Sequence, residues 1–440
     1  MMSLSEYRRS TTCLADFLPW AALVDEGIVL NKDGSFQRTA HFRGPDLDSA
    51  VPAELVAVAG RLNNALRRLG SGWAVFVEAQ RYSSNAYPAT SCPDVASALV
   101  DAERRAQFEE EGAHYESAYF LTLLYLPPAE DAARAERLLY EGRDRSEAAD
   151  AHEVLRGFVD RTDRVLQLIE GFMPECRWLD DGETLTYLHA CVSTKHHRVR
   201  VPEIPMYLDA LLADQPLTGG LEPMLGDTHL RVLTIVGFPT ATTPGILDDL
   251  NRLAFPYRWS TRAIMLDKGD ATKLLTRIRR QWFAKRKSVA AILKEVMTNE
   301  ASSLIDTDAS NKAADADAAL QELGSDLIGE AFVTATITVW NENPRIADER
   351  LRLVEKVVQG RDFTCMVETV NAVDAWLGSL PGHVYANVRQ PPVSTLNIAH
   401  MIPLSAVWAG PVRDAHLGAP PLFFARTEGS TPFRFSLHVG

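Results

Sequence analysis

The chain has 440 residues, more than one ordinary hydrophobic core accommodates, so two or more domains are expected. Apolar residues make up 46% of it and charged residues 23%, which is typical of a globular protein and excludes a disordered tail or a membrane-embedded chain. The formal net charge of -13 argues against nucleic-acid binding by the whole surface, but it leaves room for a local basic patch.

The first half of the chain alternates between strand-like and helix-like patterns. Segments 28–30 and 36–42 flank an Asp33-Gly34 turn and predict a β-hairpin. Apolar periodicity then predicts helices over 51–69, 94–111, 147–171 and 182–196. Strands are predicted over 73–79 and 119–126 and near 176–178.

A segment rich in proline and glycine separates the two halves. Pro205, Pro216, Gly219, Gly220 and Pro223 interrupt every periodic pattern and predict a connector over 206–228. The second half predicts strands over 230–238, 257–266, 332–340 and 365–370, with helices over 244–253, 270–297, 308–323, 345–359 and 371–378.

Both halves follow the order β-α-β, a helix, then β-α-β. This order predicts an α+β fold with two split β-α-β (ferredoxin-like) modules that carry helical insertions, at 1–205 and 229–380. Residues 381–440 are predicted to form a coupling segment and a C-terminal β-hairpin with strands at 421–428 and 433–439. Apolar residues such as Ile398 and Trp408 favour burial of that segment over a free linker.

The predicted helix over 270–297 is the best candidate for a functional surface. Its basic residues could contact DNA, acidic lipid headgroups or an acidic partner, or they could form an ordinary solvated face. The candidate contact residues are Lys273, Arg277, Arg280, Lys285, Arg286, Lys287 and Lys294.

The sequence assigns no residue a catalytic, cofactor-binding or metal-ligating role. It contains no Gly-Lys-Ser or Gly-Lys-Thr, so the phosphate loop of a Walker motif is missing from these 440 residues. The adjacent acids Asp248 and Asp249 are interpreted as a helix terminus. The five cysteines form no C-x-x-C and predict reduced thiols rather than a disulfide framework.

Several ordered segments resemble the CagE/TrbE/VirB family of conjugation and type IV secretion ATPases, most closely its TrbE branch. They are 255–262, the basic stretch 279–288, Gly378-Ser-Leu-Pro-Gly382, Asn397-Ile-Ala-His400, Pro403-Leu404 and Trp408-Ala-Gly410. The closing strand, 432–440, is similar to the strand that leads into the Walker A loop of that family. Gly378, Pro381, Gly382, Asn397 and Trp408 are the candidate residues of the coupling segment.

The resemblance implies the N-terminal docking and assembly region of a hexameric secretion ATPase. Such a protein is cytoplasmic and peripheral at the inner membrane. It energises assembly of a transfer channel or pilus and the export of substrate. ATP and magnesium would bind a C-terminal P-loop domain, so the 440 residues alone are expected to be inactive. The alternatives are a DNA-binding module centred on the basic helix and a stand-alone adaptor.

Overall fold

The computed structural model describes residues 13–110, 113–128, 145–285, 307–386, 389–427 and 429–437. It is a mixed fold of helices and strands built on one large antiparallel sheet. A separate pair of short strands forms a β-hairpin near the C-terminus, as predicted. No helix in these ranges has both the length and the apolar character needed to cross a bilayer.

The first module has the strand order of a ferredoxin-like fold. Its strands lie side by side in the order β6-β3-β5-β4, and α3 (Val95–Glu110) is inserted between β4 and β5. The other elements are β3 (Phe36–Arg43), α2 (Pro52–Leu66), β4 (Trp73–Ser83), β5 (Tyr115–Tyr125), α4 (Arg145–Glu170) and β6 (Glu175–Trp178). Two helices therefore connect two pairs of strands, as the split β-α-β prediction requires.

The second module repeats this order. Its strands follow the sequence β12-β9-β11-β10, and the helices α7 (Lys268–Lys285) and α8 (Thr307–Gly324) form the insertion. The other elements are β9 (Thr228–Gly237), β10 (Tyr257–Leu266), β11 (Glu330–Asn341), α9 (Pro344–Gln359) and β12 (Thr364–Glu368). The prediction of two modules with helical insertions is confirmed.

The two modules share one sheet because β4 pairs with β10. The pairing is antiparallel and runs from Arg81 opposite Tyr257 to Ala74 opposite Ile264. The remaining elements are α1 (Leu14–Phe17), β1 (Trp20–Asp25), β2 (Ile28–Asn31), α5 (Asp181–Val192), α6 (Leu208–Leu212), β7 (Leu217–Thr218), β8 (Met224–Leu225), α10 (Ala372–Leu377), β13 (Pro392–Ser394), α11 (Thr395–Met401), β14 (Phe423–Ala425) and β15 (Phe433–Phe435).

Apolar side chains cover both faces of the sheet. The larger core joins α2, α4, α9 and α11 to one face and includes the fully buried Trp259. A second core joins α5, α6 and α10 to other sheet residues, around Trp20 and Trp376. Alternate residues of a strand point to opposite faces, which is why strands buried on both sides are almost continuously apolar.

One predicted helix is wrong. The segment 244–253 forms only a short 3-10 helix, Asp248–Arg252. Gly245 lies at φ +70°, in the left-handed region, and so cannot continue a right-handed α-helix from Pro244. The segment 206–228 contains α6 and the short strands β7 and β8, which extend the sheet beyond β9.

Candidate docking and coupling site

The coupling segment begins where the two modules meet. Arg258, Ser260 and Arg262 point to the same face of β10 because they are two residues apart. The Ser260 hydroxyl and the Arg258 guanidinium both donate hydrogen bonds to the carbonyl of Ser379, at 3.0 and 3.3 Å. Arg262 donates to the carbonyls of His383 and Ala386, both at 3.0 Å. These side chains therefore hold the irregular stretch 379–386 against the sheet.

A buried ion pair spans the module joint under that stretch. Glu78 on β4 accepts two hydrogen bonds from Arg258 on β10, with N–O distances of 2.6 and 2.8 Å. Glu78 is fully buried and Arg258 is 4% exposed. Gln80 donates a further hydrogen bond to Glu78, and Arg258 donates one to the carbonyl of Cys191. The charges are thus paired and hydrogen-bonded, which a buried ion pair requires.

Gly382 and Pro381 bring the coupling segment against the first module. The indole of Trp20 donates to the Pro381 carbonyl at 2.7 Å. Gly382 has φ +91°, and a Cβ at this position would collide with the side-chain oxygen of Gln37 on β3. Gly378 is equally confined, because a Cβ there would collide with the Ala386 carbonyl. At both glycines the backbone therefore lies too close to neighbouring atoms to leave room for a side chain.

Asn397 lies on α11, where the coupling segment packs on α2 of the first module. Its side-chain oxygen accepts a hydrogen bond from the Thr242 hydroxyl at 2.8 Å. At the start of α11, the Thr395 hydroxyl donates to Asn63 of α2 at 2.6 Å. Ile398 and Ala399 are buried in the larger core. The segment after 381 is therefore an integral element of the packed structure.

Asp248 fixes the next stretch of the segment through hydrogen bonds to Leu404 and Ser405. Its carboxylate accepts hydrogen bonds from the backbone N–H groups of Leu404, at 3.2 Å, and Ser405, at 2.8 Å. The Ser405 hydroxyl donates a third. Burial raises the pKa of Asp248 to about 7. Asp248 begins the 3-10 helix and is thus a helix terminus, but its carboxylate is buried, and nothing local in the sequence points to a partner 156 residues away.

Trp408 and the hairpin complete the coupling segment. The Trp408 backbone N–H donates to Asp46 at 3.2 Å, and the Arg43 guanidinium lies 5.1 Å from its ring centroid. The ring of Phe433 lies 5.8 Å from that of Trp408. The β14–β15 hairpin is half-buried, and the first-module rings of Tyr87 and Phe108 lie 5.6 and 4.8 Å from that of Phe424.

Arg81 on β4 anchors the turn of that hairpin. It is 1% exposed and donates to the Ser430 hydroxyl at 2.7 Å and to the Thr431 hydroxyl at 3.3 Å. The Thr431 hydroxyl in turn donates to the Tyr115 carbonyl at 2.8 Å. Arg81 was not among the predicted site residues, because its strand pattern alone does not reveal a partner 350 positions away.

Three of the predicted basic residues lie together on α7. Lys273, Arg277 and Arg280 are exposed and line one shallow depression. Lys273 forms an ion pair with Asp270 at 3.1 Å. The opposite side of α7 packs on α8 through Leu275. Lys285 ends the described helix without a described side chain, and Arg286, Lys287 and Lys294 lie outside the described residues.

No group of three or more His, Cys, Asp or Glu side chains suited to a metal ion occurs among the residues that the structure describes. The arrangement consists of buried hydrogen-bonded joints and an exposed basic face. Such a site can hold segments together and contact a macromolecule.

Comparison with known proteins decides the family. Residues 27–133 match the N-terminal domain of the type IV secretion system ATPase VirB4/TrbE. Residues 177–389 match the CagE, TrbE, VirB family, a component of the type IV transporter system. The chain belongs to the CagE/TrbE/VirB family. Conjugal transfer protein TrbE of Rhizobium radiobacter is 36% identical over 459 residues, which cover 100% of this chain and 55% of that protein.

Two further relatives come from Sinorhizobium fredii (strain NBRC 101917 / NGR234), and both are named as successive pieces of a probable conjugal transfer protein TrbE. The first piece is 40% identical over 146 residues, which are 98% of that protein and 32% of this chain. The second piece is 35% identical over 260 residues, which are 38% of that protein and 58% of this chain. The chain thus spans about half the length of the Rhizobium radiobacter TrbE and belongs to a family described as a component of the type IV transporter system.

Proposed function

We propose that this chain is the docking and assembly region of a conjugative type IV secretion ATPase. It anchors the motor to small inner-membrane subunits and passes their conformational changes on. The parent protein is a hexamer at the inner membrane that energises assembly of a transfer channel or pilus and export of substrate. Family membership and the similarity to TrbE support this proposal.

The observation that carries the proposal is the path of residues 378–437. They contact both modules in turn, through Arg258 and Arg262 on β10 and through Arg81 on β4. A displacement of one module at the β4–β10 joint would therefore act on the coupling segment. Packed, hydrogen-bonded elements are the physical carriers of such coupling.

Co-purification tests the docking function directly. The tagged chain is incubated, without nucleotide, with detergent-solubilised membranes that hold the inner-membrane subunits of its own transfer system. We expect the small subunits to remain bound. A triple variant, Lys273→Gln with Arg277→Gln and Arg280→Gln, shows whether the basic face takes part. Failure of both proteins to retain any subunit would refute the docking function.

We do not expect nucleotide to bind within these 440 residues. The sequence has neither the glycine-rich loop nor the lysine that hold ATP and magnesium in a Walker motif. We place nucleotide binding in a P-loop domain of the parent protein and expect the purified 440 residues to show no ATP turnover.

DNA binding through α7 is the second candidate, favoured by the alignment of three exposed cations on one helix face. Affinity for a fluorescent duplex should then fall steeply between about 50 and 200 mM salt, because each phosphate contact releases counterions. The triple variant should lower both the affinity and the salt dependence. Equal binding by the two proteins would exclude this face as a DNA contact.

A further inference from the structure

A cleft separates the helical insertion of the second module from the coupling segment. Leu275 and Ile278 of α7 and Ala316 and Ala319 of α8 line one wall. The other wall comes from β13 and α11, through Val393, Asn397 and Met401. Ile328 and Glu330 also line the cleft. Its volume is about 530 Å³. Of the candidate coupling residues, Asn397 lines this cleft, and no ligand has been assigned to the cleft above.

Glu330, the first residue of β11, is the unusual group in the cleft. It is 3% exposed, and no described residue donates a hydrogen bond to its carboxylate. Burial raises its pKa to about 7, and the charge of Glu322 adds to this shift. A buried carboxylate without a partner is costly, so such groups normally have a cation or a hydrogen-bond donor beside them.

The other residues that line the cleft indicate which kind of cationic group would fit beside Glu330. Asp315 and Glu322 on α8 place two further carboxylates at the cleft, against one ammonium, that of Lys312, among the described residues that line it. The apolar side chains of Leu275, Ile278 and Val393 offer contacts to a hydrocarbon stem. Lysine and arginine combine a long apolar stem with a charged end, which matches an acidic cleft with apolar walls.

We propose that this cleft binds a short extended peptide of a partner protein in which a lysine or arginine lies between apolar residues, with its cation against Glu330. The inference deepens the docking function proposed above and rests on it. The peptide would contact the insertion and the coupling segment at once. A nucleic acid is disfavoured, because the carboxylates at the cleft would repel its phosphates.

Matched peptides test the proposal. The probes are Ac-Leu-Lys-Val-Lys-Leu-amide and its counterparts with glutamine or glutamate in place of both lysines. Binding to the whole 440-residue chain is measured by isothermal titration calorimetry at physiological salt. We expect the lysine peptide to bind, the glutamine peptide to bind at least tenfold more weakly, and the glutamate peptide not to bind. The Glu330→Gln variant should bind the lysine peptide at least tenfold more weakly.

Glu342→Gln is the matched control. Glu342 is exposed just beyond the other end of β11, so this variant changes the net charge by the same amount and should leave binding unchanged. Equal loss in both variants would mean that the overall charge of -13 attracts the peptide, which overturns the proposal. Concentration-dependent association of the chain that Glu330→Gln abolishes would assign the cleft to a second copy instead, and would also overturn it.

The same variant separates this inference from the docking function. One outcome is that the inner-membrane subunits co-purify equally with the unsubstituted chain and with Glu330→Gln. In that case the docking function stands, and the cleft is not the docking site. Thermal unfolding without peptide is the folding control. Glu330→Gln should unfold at the same or a higher temperature, because it removes a desolvated charge.

Discussion

Three arginines show at the residue scale how this chain fixes an irregular segment. Arg81, Arg258 and Arg262 are at most 4% exposed, and each donates to groups outside the sheet. A guanidinium presents five donors in a fixed plane, so one side chain can serve several carbonyls and hydroxyls. Two of these arginines lie in segment 255–262 and hold residues 379–386.

Asp248 should make stability depend on pH. Its pKa is about 7 in the folded chain and near 3.8 in the unfolded one, so the folded state binds the proton more tightly. The contribution of Asp248 to the free energy of unfolding is therefore largest below about pH 4 and is lost as pH rises to about 7. The loss amounts to a few kcal/mol, at roughly 1.4 kcal/mol per pKa unit. The free energy of unfolding in urea is measured at about pH 5 and pH 8. Its difference between the two pH values should be smaller for Asp248→Asn than for the unsubstituted chain.

Asp249→Asn is the control for that measurement, because Asp249 is half-buried and paired with Arg252 and Arg361. Glu330 titrates in the same direction, so some pH dependence should survive in Asp248→Asn. An unchanged difference between the two pH values in Asp248→Asn would contradict the role given to this carboxyl.

At the element scale, long periodic segments could be predicted from the sequence and contact-dependent ones could not. Strand β11 and helix α9 carry their own patterns of apolar residues, and both were found. The segment 244–253 has helical spacing, but Gly245 and the tertiary bonds of Asp248 decide its conformation. The arginines that hold residues 379–386 lie on β10, about 121 residues earlier, and no local pattern identifies them.

Gly382 offers a test of the close approach between the coupling segment and β3. Gly382→Ala should destabilise the chain by more than about 1 kcal/mol, because alanine is strained at φ +91° and its Cβ meets Gln37. Gly60→Ala is the matched control. Gly60 is exposed within α2 and has open space around its Cβ position, so alanine should add up to about 1 kcal/mol of stability. Equal unfolding midpoints in urea would argue against this contact.

At the scale of the whole molecule, one sheet unites two modules that the sequence presents as separate repeats. The order β12-β9-β11-β10 meets the order β4-β5-β3-β6 through the β4–β10 pair. The element order predicted each module, but it could not predict the strand that joins them, because edge pairing depends on which strand each module leaves uncovered. Residues 379–386 contact β10 and the turn at 429–431 contacts β4, the two strands of that joint.

The hairpin should undock without unfolding the rest of the molecule. Its strands, β14 and β15, pair over only three residues each, and a two-stranded hairpin is marginal alone, so its order depends on its anchors. Ser430→Ala with Thr431→Val removes the hydroxyls that accept from Arg81 and the one that donates to Tyr115. We expect amide hydrogen exchange in β14 and β15 to accelerate at least tenfold, while β4 and β10 keep their protection.

Thr272→Val is the control for this prediction, because its hydroxyl donates within α7, to the Lys268 carbonyl, and the hairpin should keep its parental exchange rate. Faster exchange throughout the sheet in the double variant would mean that the hairpin belongs to the same cooperative unit as the joint. Faster exchange confined to the hairpin would instead establish that it unfolds as a separate unit, with its anchors on β4 and β5. Because Arg81 is on β4, one strand of the module joint, movement of that joint would then reach the end of the coupling segment directly.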